Sequence, residues 1–288
     1  MKVDNAIIMA AGTSSRFAPL SYEKHKAMTN VKGEVLIERQ IQQLKQAHIP
    51  EIIIVTGYKA EQFGYLTGKY GVKLVHNADY LVRNNNGSIW TVKELLGNSY
   101  ICSADNYFVE NPFENIVDES YYAAEYADED TAEWCMTEDE KGFINSVTIG
   151  GSHAWYMLGH TFWSRSFSNG FLHILEAEYN LPETAEKLWE KIFMAHLDTL
   201  KMKIRKYKPG IIYEFDTLDE LRQFDSSYFN DTRSPILKRT AKILDAEERE
   251  IINIHSKKSM TAEASGFEFD CKGKHYHYLY KDGELIAD

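Results

Sequence analysis

The sequence predicts an α/β fold on a doubly wound, mainly parallel but mixed sheet. Three observations predict it. Apolar runs at 5–10, 51–56, 72–75 and 100–103 have the length and β-branched content of buried strands. Segments of helical period separate them, the rhythm of right-handed βαβ units with helices on both faces of a sheet. A chain of 288 residues can bury a full core in one large domain and still carry a small appendage.

Taken in order, the first strand runs into a loop of small and polar residues, MAAGTSSRFAPLSYEKHKAM, residues 9–28. Residues 34–48 place Ile37, Ile41 and Leu44 at i, i+4 and i+7, which gives a helix one buried stripe. Between about 111 and 161 the chain turns to strand-like pieces rich in Tyr and Trp, read as an insertion that adds mixed or antiparallel strands. Helices are expected near 162–179 and 184–196, and a strand at 211–215. After Ser227 come a polar stretch with Pro235, a helix to about Glu250, and two strands joined by Lys272 and Gly273. The expected division is a main domain over 1–228 and an extension of helix and β-hairpin over 229–288.

A net charge of −11 argues against a nucleic-acid or membrane-surface partner, because either favours a basic face. Cys102, Cys135 and Cys271 lack the spacing of a disulfide framework or a zinc site and read as reduced thiols. With no long apolar segment, the expected location is the cytoplasm.

The chemistry starts in the loop behind the first strand. Ligands of such sheets sit beyond the carboxyl ends of the strands. A small-residue turn there exposes backbone N–H groups that can cradle a phosphate, and Gly12, Thr13, Ser14 and Ser15 fit that need. Arg16 adds a bidentate fork and Lys26 a mobile point charge. An ordinary strand-to-helix turn is the plain alternative. Asp105 and Asp216 each follow a predicted strand, and two carboxylates on one sheet edge suit Mg2+ bound to a triphosphate. The plain alternatives are a turn residue for Asp105 and a helix N-cap for Asp216.

These residues carry a resemblance. The order Ala-Ala-Gly-x(3)-Arg-x(2)-Pro-Leu, a lysine ten residues after the arginine, and a strand ending in Ala104-Asp105 resemble the Rossmann-like nucleotidyltransferases. Ile53 to Tyr58, Asn84 to Ser88, Ala104 to Tyr107, Glu133-Trp134 and Ile212 to Asp216 extend the likeness, and it is greatest to bacterial CTP:phosphocholine cytidylyltransferases. The resemblance implies that Ala10, Ala11, Gly12, Thr13 and Ser14 bind the triphosphate, with Arg16 on its β- and γ-phosphates and Lys26 at the α-phosphate. It implies that Asn84, Asn86, Gly87 and Ser88 recognise the base beside Ala104, and that Asp105 and Asp216 hold Mg2+. His25 stands where the family has proline, which leaves the loop less rigid and the choice between Lys24 and Lys26 open. The Asn-Asn-Asn-Gly run also reads as a turn before an N-capped helix.

The activity implied is transfer of CMP from CTP to a small amino-alcohol phosphate, phosphocholine first, with release of pyrophosphate. A trimethylammonium group favours ring faces with a carboxylate nearby. Trp134 and Tyr156, with Trp155 and Trp163 in the same region, and the carboxylates Glu133 and Asp130 supply both. A primary ammonium, as in 2-aminoethylphosphonate or phosphoethanolamine, calls for acceptors and fewer rings. A sugar-1-phosphate nucleotidyltransferase and a nucleotide binder without turnover are the rival classes. Retention of Arg16, Lys26, Asp105 and Asp216 together speaks against the binder. Near the end, 251–254, 258–261 and 267–276 resemble the opening strands of a choline-kinase N-lobe, too short to hold a kinase site. His275 and His277 alternate on one face of that hairpin, as a metal pair or as plain exposed histidines.

Overall fold

A computed structural model describes residues 1–257 and 264–287. It divides into two compact units, Met1–Gly12 with Leu36–Glu214, and Thr13–Val35 with Phe215–Asp288. This partition cuts across the expected 1–228 and 229–288 division.

In the larger unit the first strand, β1 (Asn5–Ala10), leads by way of the smaller unit to helix α1 (Leu36–Gln46), then β2 (Ile52–Thr56), α2 (Gly64–Tyr70), β3 (Lys73–His76), α3 (Asn85–Thr91) and β4 (Ser99–Ser103). β1 pairs in parallel with β2 and β4, and β2 with β3. A short β5 (Asn106–Phe108) is followed by the inserted strands β6 (Tyr121–Ala127), β7 (Thr131–Glu138), β8 (Ile144–Gly151) and β9 (Ala154–Trp163). Helices α4 (Arg165–Glu178), α5 (Pro182–Ala185) and α6 (Trp189–Ala195) and strands β10 (Lys203–Lys206) and β11 (Ile212–Glu214) complete the unit. The sheet order is β8-β7-β9-β4-β1-β2-β3, with β6 pairing β9 and β10. Strand β9 joins the two halves, since it runs antiparallel to β4, β6 and β7. The fold is therefore a mixed, mainly parallel sheet with the insertion as its antiparallel wing.

The core lies on β1, β2 and β4 and continues under α4 and α6, where Trp163, Phe171 and Trp189 are fully buried. Several boundaries differ from expectation. α1 starts at Leu36, because Glu34–Val35 pairs with Asn30–Val31 as a small ribbon. Trp163 closes β9, and Ser164, whose hydroxyl accepts from Phe167 N–H, caps α4. The single helix expected at 184–196 is broken into α5 and α6.

The smaller unit joins the loop 13–35 to α7 (Leu218–Phe224), α8 (Ser227–Asn230), α9 (Pro235–Ile243) and a four-stranded antiparallel sheet, β12 (Ile251–Lys257), β13 (Gly266–Cys271), β14 (Lys274–Leu279) and β15 (Glu284–Ala287). The predicted hairpin at Lys272 and Gly273 is the β13–β14 turn. Residues 258–261 of the choline-kinase-like stretch lie outside the described residues. Polar ties lace the loop to this sheet and its helices. Tyr228 donates to Asn30 O at 2.6 Å, Asp225 accepts from Lys32 N–H at 2.7 Å, and Glu23 accepts from Ile236 N–H at 2.7 Å. Tyr22 stacks on Tyr280 with ring centroids 3.7 Å apart. Arg222 is fully buried, and its guanidinium donates to Ile251 O, Glu248 O and Asp219. Among the described residues no helix is long and apolar enough to cross a membrane. The three cysteines are buried and form no disulfide.

Candidate active site

In the larger unit β1 ends at Ala10, and both Ala10 and Ala11 are buried. The backbone passes so close to its neighbour that a Cβ on Gly57 would stand 2.7 Å from Ala11 O, which accepts from Tyr58 N–H at 3.0 Å. Gly12 is exposed with open space where a Cβ would be. Ala104, buried, donates its N–H to Met9 O at 3.2 Å, and Asp105 follows it in the turn between β4 and β5. Next to Asp105, Asn106 is buried and donates to Glu214 across the β5–β11 pair.

In the smaller unit Ser14 takes a left-handed conformation, φ 49°, and starts the 3-10 turn Ser15–Phe17 that presents Arg16. Lys26 opens a second turn, Lys26–Met28. Its ammonium side chain is 3% exposed and lies 3.3 Å from Asp216 Oδ1, while Arg16 Nη1 lies 2.6 Å from Oδ2. A buried ammonium is costly without a counter-charge, and Asp216 supplies it across 190 residues of chain. Lys24 is exposed, so burial separates the two lysines that the sequence left open. His25, where the resemblance has proline, takes a proline-like φ of −57°, and its Nδ1 accepts from Ala27 N–H at 3.1 Å.

The N-cap alternative for Asp216 does not hold. Thr217 caps α7 in a capping box with Glu220, whose carboxylate also accepts from Asp216 N–H at 2.6 Å. The Asp216 side chain is thereby left to the two cations.

The 84–88 segment is the start of α3, with Asn84 as its N-cap. Asn86 is fully buried, and its amide donates to the carbonyls of Thr184 and Lys187, so it clamps the 184–187 loop. Gly87 leaves room for Arg83, whose Cβ would be 3.1 Å from a Cβ at that position. Ser88 Oγ accepts from Asn77 at 3.3 Å. These contacts give the segment a structural role, the N-capped helix start that the sequence also allowed.

The acceptor candidates separate. Tyr156 pairs with Cys135 and Glu125, and strand alternation puts Glu133 on that same face. Burial, then the charges of Glu125 and Glu133, push the Tyr156 hydroxyl up to about 12. Trp134 points to the other face, against the core, with the Lys191 ammonium 4.5 Å from its ring centroid. Trp163 is core, and Asp130 is exposed ahead of β7.

Comparison with known proteins bears on this arrangement. Residues 6–113 match the MobA-like NTP transferase domain. The choline-phosphate cytidylyltransferase of Streptococcus pneumoniae is 32% identical over 226 residues, 78% of this chain and 99% of that protein. The chain belongs to the bacterial cytidylyltransferases. The 2-aminoethylphosphonate cytidylyltransferase of Lancefieldella rimae is also 32% identical, over 78% of this chain and 93% of its own. The solved structure of the S. pneumoniae CTP:phosphocholine cytidylyltransferase superposes with a TM-score of 0.75 over 79% of this chain and 99% of that one. A Bacillus anthracis putative glucose-1-phosphate thymidylyltransferase, 17% identical with a TM-score of 0.63 over 78% of this chain and 95% of its own, shares the fold.

Two carboxylates of this cytidylyltransferase escaped the sequence reading. Glu125 is 4% exposed and accepts from the N–H groups of Gly210, Ile211 and Ile212 at 2.8–3.1 Å, so it pins the approach to β11. A lone Glu in the buried strand Tyr121–Ala127 was the available signal. Glu190 accepts from Asn85 at 3.0 Å and from Tyr122 at 3.5 Å, and burial pushes its carboxyl up to about 7. Nothing in the local sequence around it signalled this.

Proposed function

We propose that this cytidylyltransferase transfers CMP from CTP to phosphocholine and releases pyrophosphate. The observation that carries the reading is the buried Lys26 ammonium held on Asp216 beside Arg16, in a chain whose relatives are named for this chemistry. An acceptor phosphate oxygen, anionic at neutral pH, attacks the α-phosphorus in line, so no strong general base is required. Lys26 neutralises charge that grows on the α-phosphate in the transition state, and Arg16 binds the β- and γ-phosphates that leave. Thr13 and Ser14, with Ala10, Ala11 and Gly12, offer backbone N–H groups to the triphosphate.

Asp105 and Asp216 are the residues proposed to hold Mg2+. Both are hard oxygen donors, the type this ion takes, and at Asp216 the ion would share the carboxylate with Arg16 and Lys26, which move onto the phosphates they are proposed to bind. When bound, the ion screens the triphosphate's charge. The location proposed for the enzyme is the cytoplasm.

A second reading, 2-aminoethylphosphonate as acceptor, has its own observation. Glu133 and the Tyr156 hydroxyl share a strand face while Trp134 looks the other way, a polar rather than ring-lined setting suited to a primary ammonium. Pyrophosphate release, measured with four nucleoside triphosphates against phosphocholine, phosphoethanolamine, 2-aminoethylphosphonate and a hexose 1-phosphate, tests both. CTP with phosphocholine should give the highest kcat/KM. Preference for the phosphonate selects the second reading, and turnover only with the hexose phosphate refutes both.

A further inference from the structure

The sheet of the smaller unit carries a feature that cytidylyl transfer does not use. Phe267, Phe269 and Cys271 of β13 and Tyr278 of β14 are buried, so strand alternation turns Glu268, Asp270, His275 and His277 to the opposite face. The register sets His277 opposite Glu268 and His275 opposite Asp270. One ligand atom from each of Glu268, His275 and His277 lies within 4.8 Å of the other two. The two imidazole rings stand 5.1 Å apart and nearly perpendicular, so they converge without stacking. His275 Nδ1 is 2.7 Å from Asp270 Oδ1, and Asp270 is itself held by Asn253 at 2.8 Å. A carboxylate accepting from Nδ1–H fixes the tautomer that carries its lone pair on Nε2, the atom a metal ligand uses.

We propose that Glu268, His275 and His277 form a zinc site on the β13–β14 hairpin, with Asp270 as the residue that positions His275. Two imidazoles and one carboxylate are a borderline donor set that suits Zn2+ and not Mg2+. The side chains of His277, Glu268 and His275 are 20%, 39% and 40% exposed, which admits the ion and a water to complete four-coordination. The site ties two neighbouring strands together and is separate in composition from the carboxylates assigned to the nucleotide.

The test uses the full chain, stripped with chelator and titrated with ZnCl2 against a chromogenic competitor in millimolar Mg2+, which occupies oxygen-only sites. One zinc per chain should bind saturably and raise the melting temperature. His277→Ala and Glu268→Ala should each lower the affinity about tenfold or more, and Asp270→Asn about tenfold with stoichiometry retained. Zinc-free melting of each variant verifies folding, and the imidazole NMR shifts of His275 and His277 on zinc addition report the site in the unaltered chain. Absence of saturable binding, or binding indifferent to both substitutions with those shifts unmoved, overturns the proposal.

Discussion

Replacing Glu190 with glutamine should raise stability in alkaline buffer and leave it nearly unchanged in acid. The carboxyl sits between Asn85 Nδ2 and the Tyr122 hydroxyl, and among the described residues no lysine or arginine pairs with it. Burial raises its folded pKa from 4.5 to about 7. Between those values the native state keeps a proton that the unfolded chain has released, so stability falls as pH rises through that window. Each unit of raised pKa corresponds to about 1.4 kcal/mol, which sets a ceiling of about 3.5 kcal/mol on the loss above neutrality. Glutamine keeps the shape and an acceptor oxygen without the charge. Urea unfolding of both proteins at about pH 4.5 and pH 8 gives the stability difference at each, and contact changes independent of pH cancel between them. The glutamine variant should gain up to about 3 kcal/mol more at the higher pH. A difference that stays constant with pH refutes the assignment of a buried, charge-intolerant carboxyl.

Three further outcomes are expected. Lys26→Ala should cost about 3 kcal/mol of transition-state stabilisation, seen as a loss of at least a hundredfold in kcat by pyrophosphate release, with near-normal turnover contradicting its role. Asp216→Ala leaves the Lys26 ammonium buried without this carboxylate, and should lower unfolding free energy by about 3 kcal/mol in denaturant titration. His160 is fully buried in a ring of aromatics with Nε2 2.9 Å from the Tyr121 hydroxyl, and burial lowers its pKa to about 3. The unfolded chain therefore binds a proton that the native state refuses between about pH 3 and 6.5, so stability falls on acidification, and His160→Gln should flatten that slope in thermal melts.

How much of this was legible depends on whether the information is local. The parallel strands were readable because a strand buried on both faces must be apolar through its middle, and β1, β2 and β4 are. The helix expected at 184–196 was misread because its apolar residues serve two short helices, which the clamp from Asn86 holds apart at residues 184–187. Trp134 and Glu133 were both offered for the acceptor from the inserted region, and which strand face each takes was settled by the pairing of that strand, since adjacent residues on a strand point to opposite faces.

By itself the sequence determined the fold class and the family, because hydrophobic period and ordered motifs are written within short windows. Only the tertiary structure decided which lysine is buried, which carboxylate answers it, and which groups Glu125 and Glu190 accept from. Those properties depend on desolvation and on partners up to 190 residues away, and a side chain's own neighbours in sequence carry no record of either.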